Sequence, residues 1–214
     1  MSLPVDKALR KAQSHIKAGE LAEAEELYKQ VLSKFPKNIK AIQGYQKLKP
    51  KITAKRSANF EPPQEKVDEL MNLYNQGQHV KALETAKPLI SLFPKAINLY
   101  NIQGASNAAL KRYDAAIDSY RIAIKINPEY AGSYNNMSVA LKDKGELETA
   151  IEACEKAIKI RPDYAEAYNN MGSILKEKSE FETAISFFKE AIKIKPDYAN
   201  AYYNIGLTLK SKSE

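Results

Sequence analysis

Asparagine pairs stand at Asn135-Asn136 and Asn169-Asn170, and Asn101 and Asn204 continue the two columns at the same 34-residue step. An Asn amide presents one acceptor and two donors, so a column of amides can pair with an extended peptide backbone without reading its side chains. Asn is also a poor helix residue, so a pair of them within a helical pattern asks for a compensating role. Three amides making two bonds each, at a net 0.5–1.5 kcal/mol per bond, give roughly 3–9 kcal/mol gross. The ordering cost of association consumes several of these. A ladder of this kind is expected to bind weakly and to tolerate many sequences. Selectivity then falls to neighbours such as Val139, Ser173, Tyr203, Leu207, Asp143 and Glu177.

Other reactive side chains point to plainer roles. Lys142, Lys176 and Lys210, with Lys144, Lys178 and Lys212, form columns that could attract acids, but solvated lysines near a helix end account for them. Cys154 occupies the slot held by Tyr120 and Phe188 in other repeats and reads as a buried apolar thiol. His15 and His79 lie in different repeats with no second His or Cys at ligand spacing, so no metal is expected. There is no Gly-rich phosphate loop and no nucleophile motif, hence no catalytic constellation and no cofactor.

Composition sets the frame for the elements that must position these groups. The chain has 214 residues, is 28% charged and 44% hydrophobic, and lacks tryptophan. That suits a mostly helical globular protein. No apolar run approaches the roughly 18 residues of a membrane span, and "MSLPVDKALRKAQ" lacks the apolar stretch of a secretory signal. One cysteine excludes an internal disulfide, and the context reads as cytoplasmic. The net charge of +7 is concentrated: residues 1–62 hold 13 basic and 6 acidic side chains, while 63–214 hold 20 of each.

Pro94, Pro128, Pro162 and Pro196 are 34 residues apart, as are Ala82, Ala116, Ala150 and Ala184, and Tyr100, Tyr134, Tyr168 and Tyr202. Internal repetition at this period means stacked supersecondary units. Within 165–198, Tyr168, Met171, Gly172 and Leu175 make one helical face. Phe181, Ala184, Ile185, Phe188, Ala191 and Ile192 make a second, which stops at Pro196. Asp163 and Asp197, just after the prolines, are expected to cap the following helices. Lys189, Lys193 and Lys195 suit the C-terminal dipole of the second helix. Gly172, Gly104, Gly206 and Ser138 share a slot that lets paired helices approach, with Tyr168 expected to fill the gap beside Gly172.

These residues resemble the tetratricopeptide repeat. Its pattern of aromatic, Leu-Gly, Ala, aromatic, Ala and Pro is matched by Tyr168, Met171-Gly172, Ala184, Phe188, Ala191 and Pro196. The resemblance implies an all-α, right-handed superhelical α-solenoid of helix-turn-helix repeats. It covers 5–38, 63–96, 97–130, 131–164, 165–198 and a half repeat from Ala199. It also implies that the first helices line a concave wall. There Asn136, Asn170 and Asn204 match the asparagine ladder of the O-linked N-acetylglucosamine transferase superhelix. Asn101, Asn135, Asn136, Asn169, Asn170, Tyr203 and Asn204 are therefore the candidate peptide-binding residues; inherited consensus without a dedicated ligand is the alternative. The chaperone-binding clamp of the family needs Lys and Arg where this chain has Asn135, Glu166 and Asn204.

Three departures are visible. Leu70 replaces the small residue of its slot, and Pro88 is expected to kink or displace the second helix of 63–96. Pro36 to Pro94 is 58 residues, out of register. The expected organisation is an N-terminal repeat plus an extra helix over 1–48, a basic Pro-flanked linker over 49–63 and the main array over 64–214. The basic segment 29–56 has too few aromatics to stack nucleic-acid bases and reads as a solvated linker or an intramolecular contact. In "AYYNIGLTLKSKSE" a first helix presents Tyr202, Ile205 and Leu209 without a partner helix. Repeat arrays normally end in a polar cap, so continuation beyond Glu214 is favoured over self-association through the open end. The functions in view are a non-enzymatic scaffold holding a protein or peptide partner in the groove, the docking arm of a larger glycosyltransferase or sulfotransferase, or a self-assembling scaffold.

Overall fold

A computed structural model describes residues 5–58 and 61–213. Within them the chain is all helix: twelve helices and no strand. It divides into two compact units, 1–61 and 62–214.

The first unit contains α1 (Val5–Ala18), α2 (Leu21–Lys34) and α3 (Ile39–Ala58). Ala12, Ala24 and Ala41 are fully buried, so the helices meet over small residues, with Tyr28, Leu48 and Ile52 filling the space between. α3 corrects the linker expectation, because it runs through Pro50 as far as Ala58. Proline inside a helix costs about 3 kcal/mol, whereas burying Leu48 and Ile52 on either side of it returns about 1.5–3 kcal/mol each. Residues 59 and 60 and the side chains of 53–58 lie outside the described residues. Lys55 and Arg56 of the basic segment are among them.

The second unit is a solenoid of helix pairs. Its helices are α4 (Gln64–Asn75) with α5 (His79–Leu92), α6 (Ile97–Ala109) with α7 (Tyr113–Ile126), and α8 (Ala131–Lys144) with α9 (Leu147–Ile160). α10 (Ala165–Glu177) pairs with α11 (Phe181–Ile194), and α12 (Ala199–Ser213) follows. Within each pair the turn passes through a left-handed residue at Gly77, Lys111, Gly145 and Ser179, again 34 apart. Only glycine takes that backbone without a Cβ penalty, so Lys111 and Ser179 are held there by the packing of their helix pairs.

α5 runs from His79 to Leu92, with Pro88 exposed inside it. Two local expectations change. Asp163 does not cap α10: the N-cap residue is Tyr164, with no side-chain cap bond. Asp197 accepts the Ala199 N–H through its main-chain carbonyl. The ring against Gly172 is Phe188, not Tyr168; a Cβ at Gly172 would lie 2.6 Å from Phe188 Cε1. Tyr168 instead leans on Phe187, centroids 6.2 Å apart. Gly104 meets Tyr120 in the equivalent contact.

Candidate functional site: the asparagine columns of the array

The two asparagine columns are bonded to each other. The Asn170 Nδ2 amide donates to Asn135 Oδ1 at 2.8 Å, and Asn204 Nδ2 donates to Asn169 Oδ1 at 2.9 Å. Asn136 Nδ2 reaches Asn101 Oδ1 at 3.4 Å. Each bond joins one first helix to the next, with a separation of 35 residues. The second Asn of one repeat thus latches onto the first Asn of the repeat before it. Asn135 and Asn169 are 6% and 7% exposed, and their buried oxygens need these donors. Asn101 is held further: its Nδ2 donates to the Ile97 carbonyl and to Ser133 Oγ, which donates back to Asn101 Oδ1.

The amides outside the buried column keep valences for a partner. Asn136, Asn170 and Asn204 are half-buried, and each latch uses one of its two N–H groups and leaves its oxygen. Tyr203, in the first-Asn slot of α12, is 67% exposed. An open depression of about 710 Å³ is lined by Asn135, Asn136, Arg161, Tyr164, Glu166 and Lys195, among others. The Arg161 guanidinium stands 3.1 Å over the Tyr164 ring. Burial pushes the Tyr164 phenol up, and Arg161 pulls the other way. Arg161 and Lys195 face Asp163 and Glu166 in this depression, so it carries no net charge preference.

Sequence reasoning passed over Ser133. The signal was present, since the same slot holds Leu99, Ala167 and Ala201, and a hydroxyl in an apolar column marks a polar contact. The selectivity neighbours divide. Val139, Ser173 and Leu207 are half-buried, with Ser173 Oγ donating to the Asn169 carbonyl, while Asp143 and Glu177 are committed to Lys142.

Four lysines of the columns, Lys142, Lys144, Lys178 and Lys212, are ion-paired rather than merely solvated. Lys144 bridges Asp114 and Glu146 at 2.6 Å each, Lys178 bridges Glu148 and Glu180, and Lys212 pairs with Glu182. Burial lowers the Lys142 pKa, but hydrogen bonds from Lys142 to Asp143 and Glu177 outweigh it and hold the ammonium above its ordinary value. Cys154 is fully buried with its thiol donating to Ser138 Oγ at 3.1 Å, and burial pushes its pKa up to about 11. His15 is paired with Glu20, and His79 packs against Tyr74 with its Nδ1 buried and unpartnered. Among the described residues no cluster of His, Cys, Asp or Glu could hold a metal, and no helix is long and apolar enough to cross a membrane.

Comparison with known families decides the class. The tetratricopeptide repeat family matches at 104–145, 139–179 and 172–213, which together span just over half of the chain, and a further tetratricopeptide match covers 8–38. The chain is a tetratricopeptide repeat protein. Solved structures of other tetratricopeptide proteins share its fold. The crystal structure of MamA is 26% identical with a TM-score of 0.54, over 88% of this chain and 96% of MamA. A thermophilic tetratricopeptide protein of Thermus thermophilus superposes with a TM-score of 0.60 at 16% identity, covering 96% of this chain and 99% of that one. YrrB, described as having an unusual peptide-binding site, gives 0.55 at 17% identity, covering 92% and 89%. No curated protein matches the tetratricopeptide chain in a sequence search.

Proposed function

We propose that this protein is a non-enzymatic interaction scaffold whose array holds an extended segment of a protein partner along the asparagine columns. The observation that carries the reading is the half-buried state of Asn136, Asn170 and Asn204. Each is fixed in orientation by a latch to the previous repeat and still offers an oxygen and an N–H. A pre-oriented amide loses little freedom on binding, so more of each bond's energy reaches the complex. The buried Asn135 and Asn169 act as supports, which moves the direct contacts to the outer column and Tyr203. YrrB, a structural neighbour described as having an unusual peptide-binding site, supports a peptide as the class of partner.

The test is a peptide-library titration followed by NMR. A bound peptide shifts the side-chain amide signals of Asn136, Asn170 and Asn204 in a saturable way. Changing all three to Ala abolishes capture with helicity intact. Because these changes also remove latches, the variant is compared well below its own unfolding temperature. Unchanged capture by the folded triple variant overturns the reading. A second reading draws on α12, whose Tyr202, Tyr203 and Leu209 are exposed and would accept a second copy of the chain. Sedimentation across a concentration series separates it from the first.

A further inference from the structure

The charge excess of the first 62 residues has a place in the fold. A cleft of about 560 Å³ in the N-terminal unit lies between α1 and α3, and Tyr28 of α2 also lines it. Arg10 of α1 and Lys40, Lys47 and Lys51 of α3 line it. The three lysines and Gly44 fall at i, i+4, i+7 and i+11, which is one face of a helix. Gly44 lets the Tyr28 ring close against the middle of that face: a Cβ there would meet the ring at 2.5 Å. One carboxylate, Asp6, lines the same cleft, leaving it three charges positive (four cations less one anion).

These cations differ from the bridging lysines of the array. Lys142, Lys144, Lys178 and Lys212 each have a carboxylate partner. Among the described residues Arg10, Lys40, Lys47 and Lys51 have none. Like charges four residues apart on a helix repel, so the face is under electrostatic tension that an anionic ligand would relieve. The shape selects the ligand. A flat bilayer cannot reach into a cleft between two helices. A nucleic acid would need aromatic faces for its bases, but the one aromatic lining the cleft, Tyr28, is 2% exposed with its ring against Gly44. An extended chain bearing side-chain carboxylates fits, and the Gln13 and Gln43 amides in the cleft can take its backbone.

We propose that the cleft between α1 and α3 docks an acidic segment of a partner polypeptide, with side-chain carboxylates on Arg10, Lys40, Lys47 and Lys51. The site is independent of the asparagine columns, so either can fail without the other. The test uses the full chain and a fluorescein-labelled hexaglutamate with an amidated C-terminus, followed by anisotropy. Saturable binding is expected at low salt, weakening about tenfold as salt is raised past physiological strength, where screening shortens to about 8 Å. The double variant K47E/K51E, which alters two exposed residues, loses binding while its circular dichroism stays unchanged. K125E/K159E makes the same change of net charge in the array and retains binding. Four outcomes overturn the proposal: no saturable binding by the folded chain, equal loss in both variants, binding only to a peptide with a free terminal carboxylate, or K47-dependent binding of phosphatidylserine vesicles or oligothymidine without binding of hexaglutamate.

Discussion

Gly172 and Gly206 occupy one slot of the repeat and face opposite surroundings. A Cβ at Gly172 would sit 2.6 Å from the Phe188 ring, while one at Gly206 would meet nothing within 4 Å. Gly172→Ala therefore overpacks a buried contact and should destabilise by about 1–3 kcal/mol. Gly206→Ala should stabilise by up to about 1 kcal/mol through helix propensity alone. Urea denaturation midpoints moving in opposite directions check both. Cys154 gives a pH signature. Its folded pKa of about 11 lies above the ordinary 9.0, so the folded state keeps a proton that the unfolded state releases. Stability is full below pH 9 and falls as pH rises through the window from 9 to 11. Buried Tyr120, its phenol also pushed up, adds to the fall at higher pH. Cys154→Ala should flatten the lower part of the decline in a pH series of thermal melts. The burial of Cys154 was legible because the rest of its column, Ala86, Tyr120 and Phe188, is apolar or aromatic. Which ring filled the gap at Gly172 was not, since Tyr168 and Phe188 both recur at helical spacing and only packing separates them.

Between elements, the asparagine latches and the lysine bridges both join neighbouring repeats, but they differ in burial. Asn170→Ala leaves the Asn135 oxygen, 6% exposed, without its donor and should destabilise by about 1–3 kcal/mol. Lys178→Ala breaks bridges to two exposed carboxylates and should leave the unfolding midpoint unmoved, because such pairs are screened by water and salt. At the start of the array the latch becomes apolar: Val67 and Ile102 hold the two slots, also 35 apart, and share one buried cluster. The columns themselves could be read from the 34-residue period. The bonds between them could not, because a 35-residue offset becomes a contact only once helix stacking is known. α3 shows the same limit. The proline rule is local, whereas the burial of Leu48 and Ile52 that carries the helix past Pro50 is tertiary.

For the whole molecule, the buried clusters respect the division into two units. The buried residues of one cluster run from Ala8 to Ile52, and those of the other two begin at Val67 and at Ala116. Leu48→Ala should thus remove about 2–5 kcal/mol from the first unit and leave the array untouched. Hydrogen exchange followed by mass spectrometry should show faster exchange in α1 to α3 and unchanged protection in α6 to α11. Uniform acceleration would mean that the two units unfold as one. The charge asymmetry between the units was visible from composition. Its concentration in a cleft depended on α3 being one continuous helix.

Leu70 and Ala86 share one buried cluster, yet the same two slots hold Gly104 and Tyr120 one repeat later, and Gly172 and Phe188 two repeats beyond that. The large and small partners have changed places. A genetic crossover inside a helix pair would set Leu70 against Tyr120, overfilling the contact, or Gly104 against Ala86, leaving a void. Crossovers after the proline, between complete pairs, leave every match intact. Through this size lock, a gene for such an array can lengthen or shorten by whole repeats, whereas blending its first pair with a later Gly-aromatic pair breaks the match.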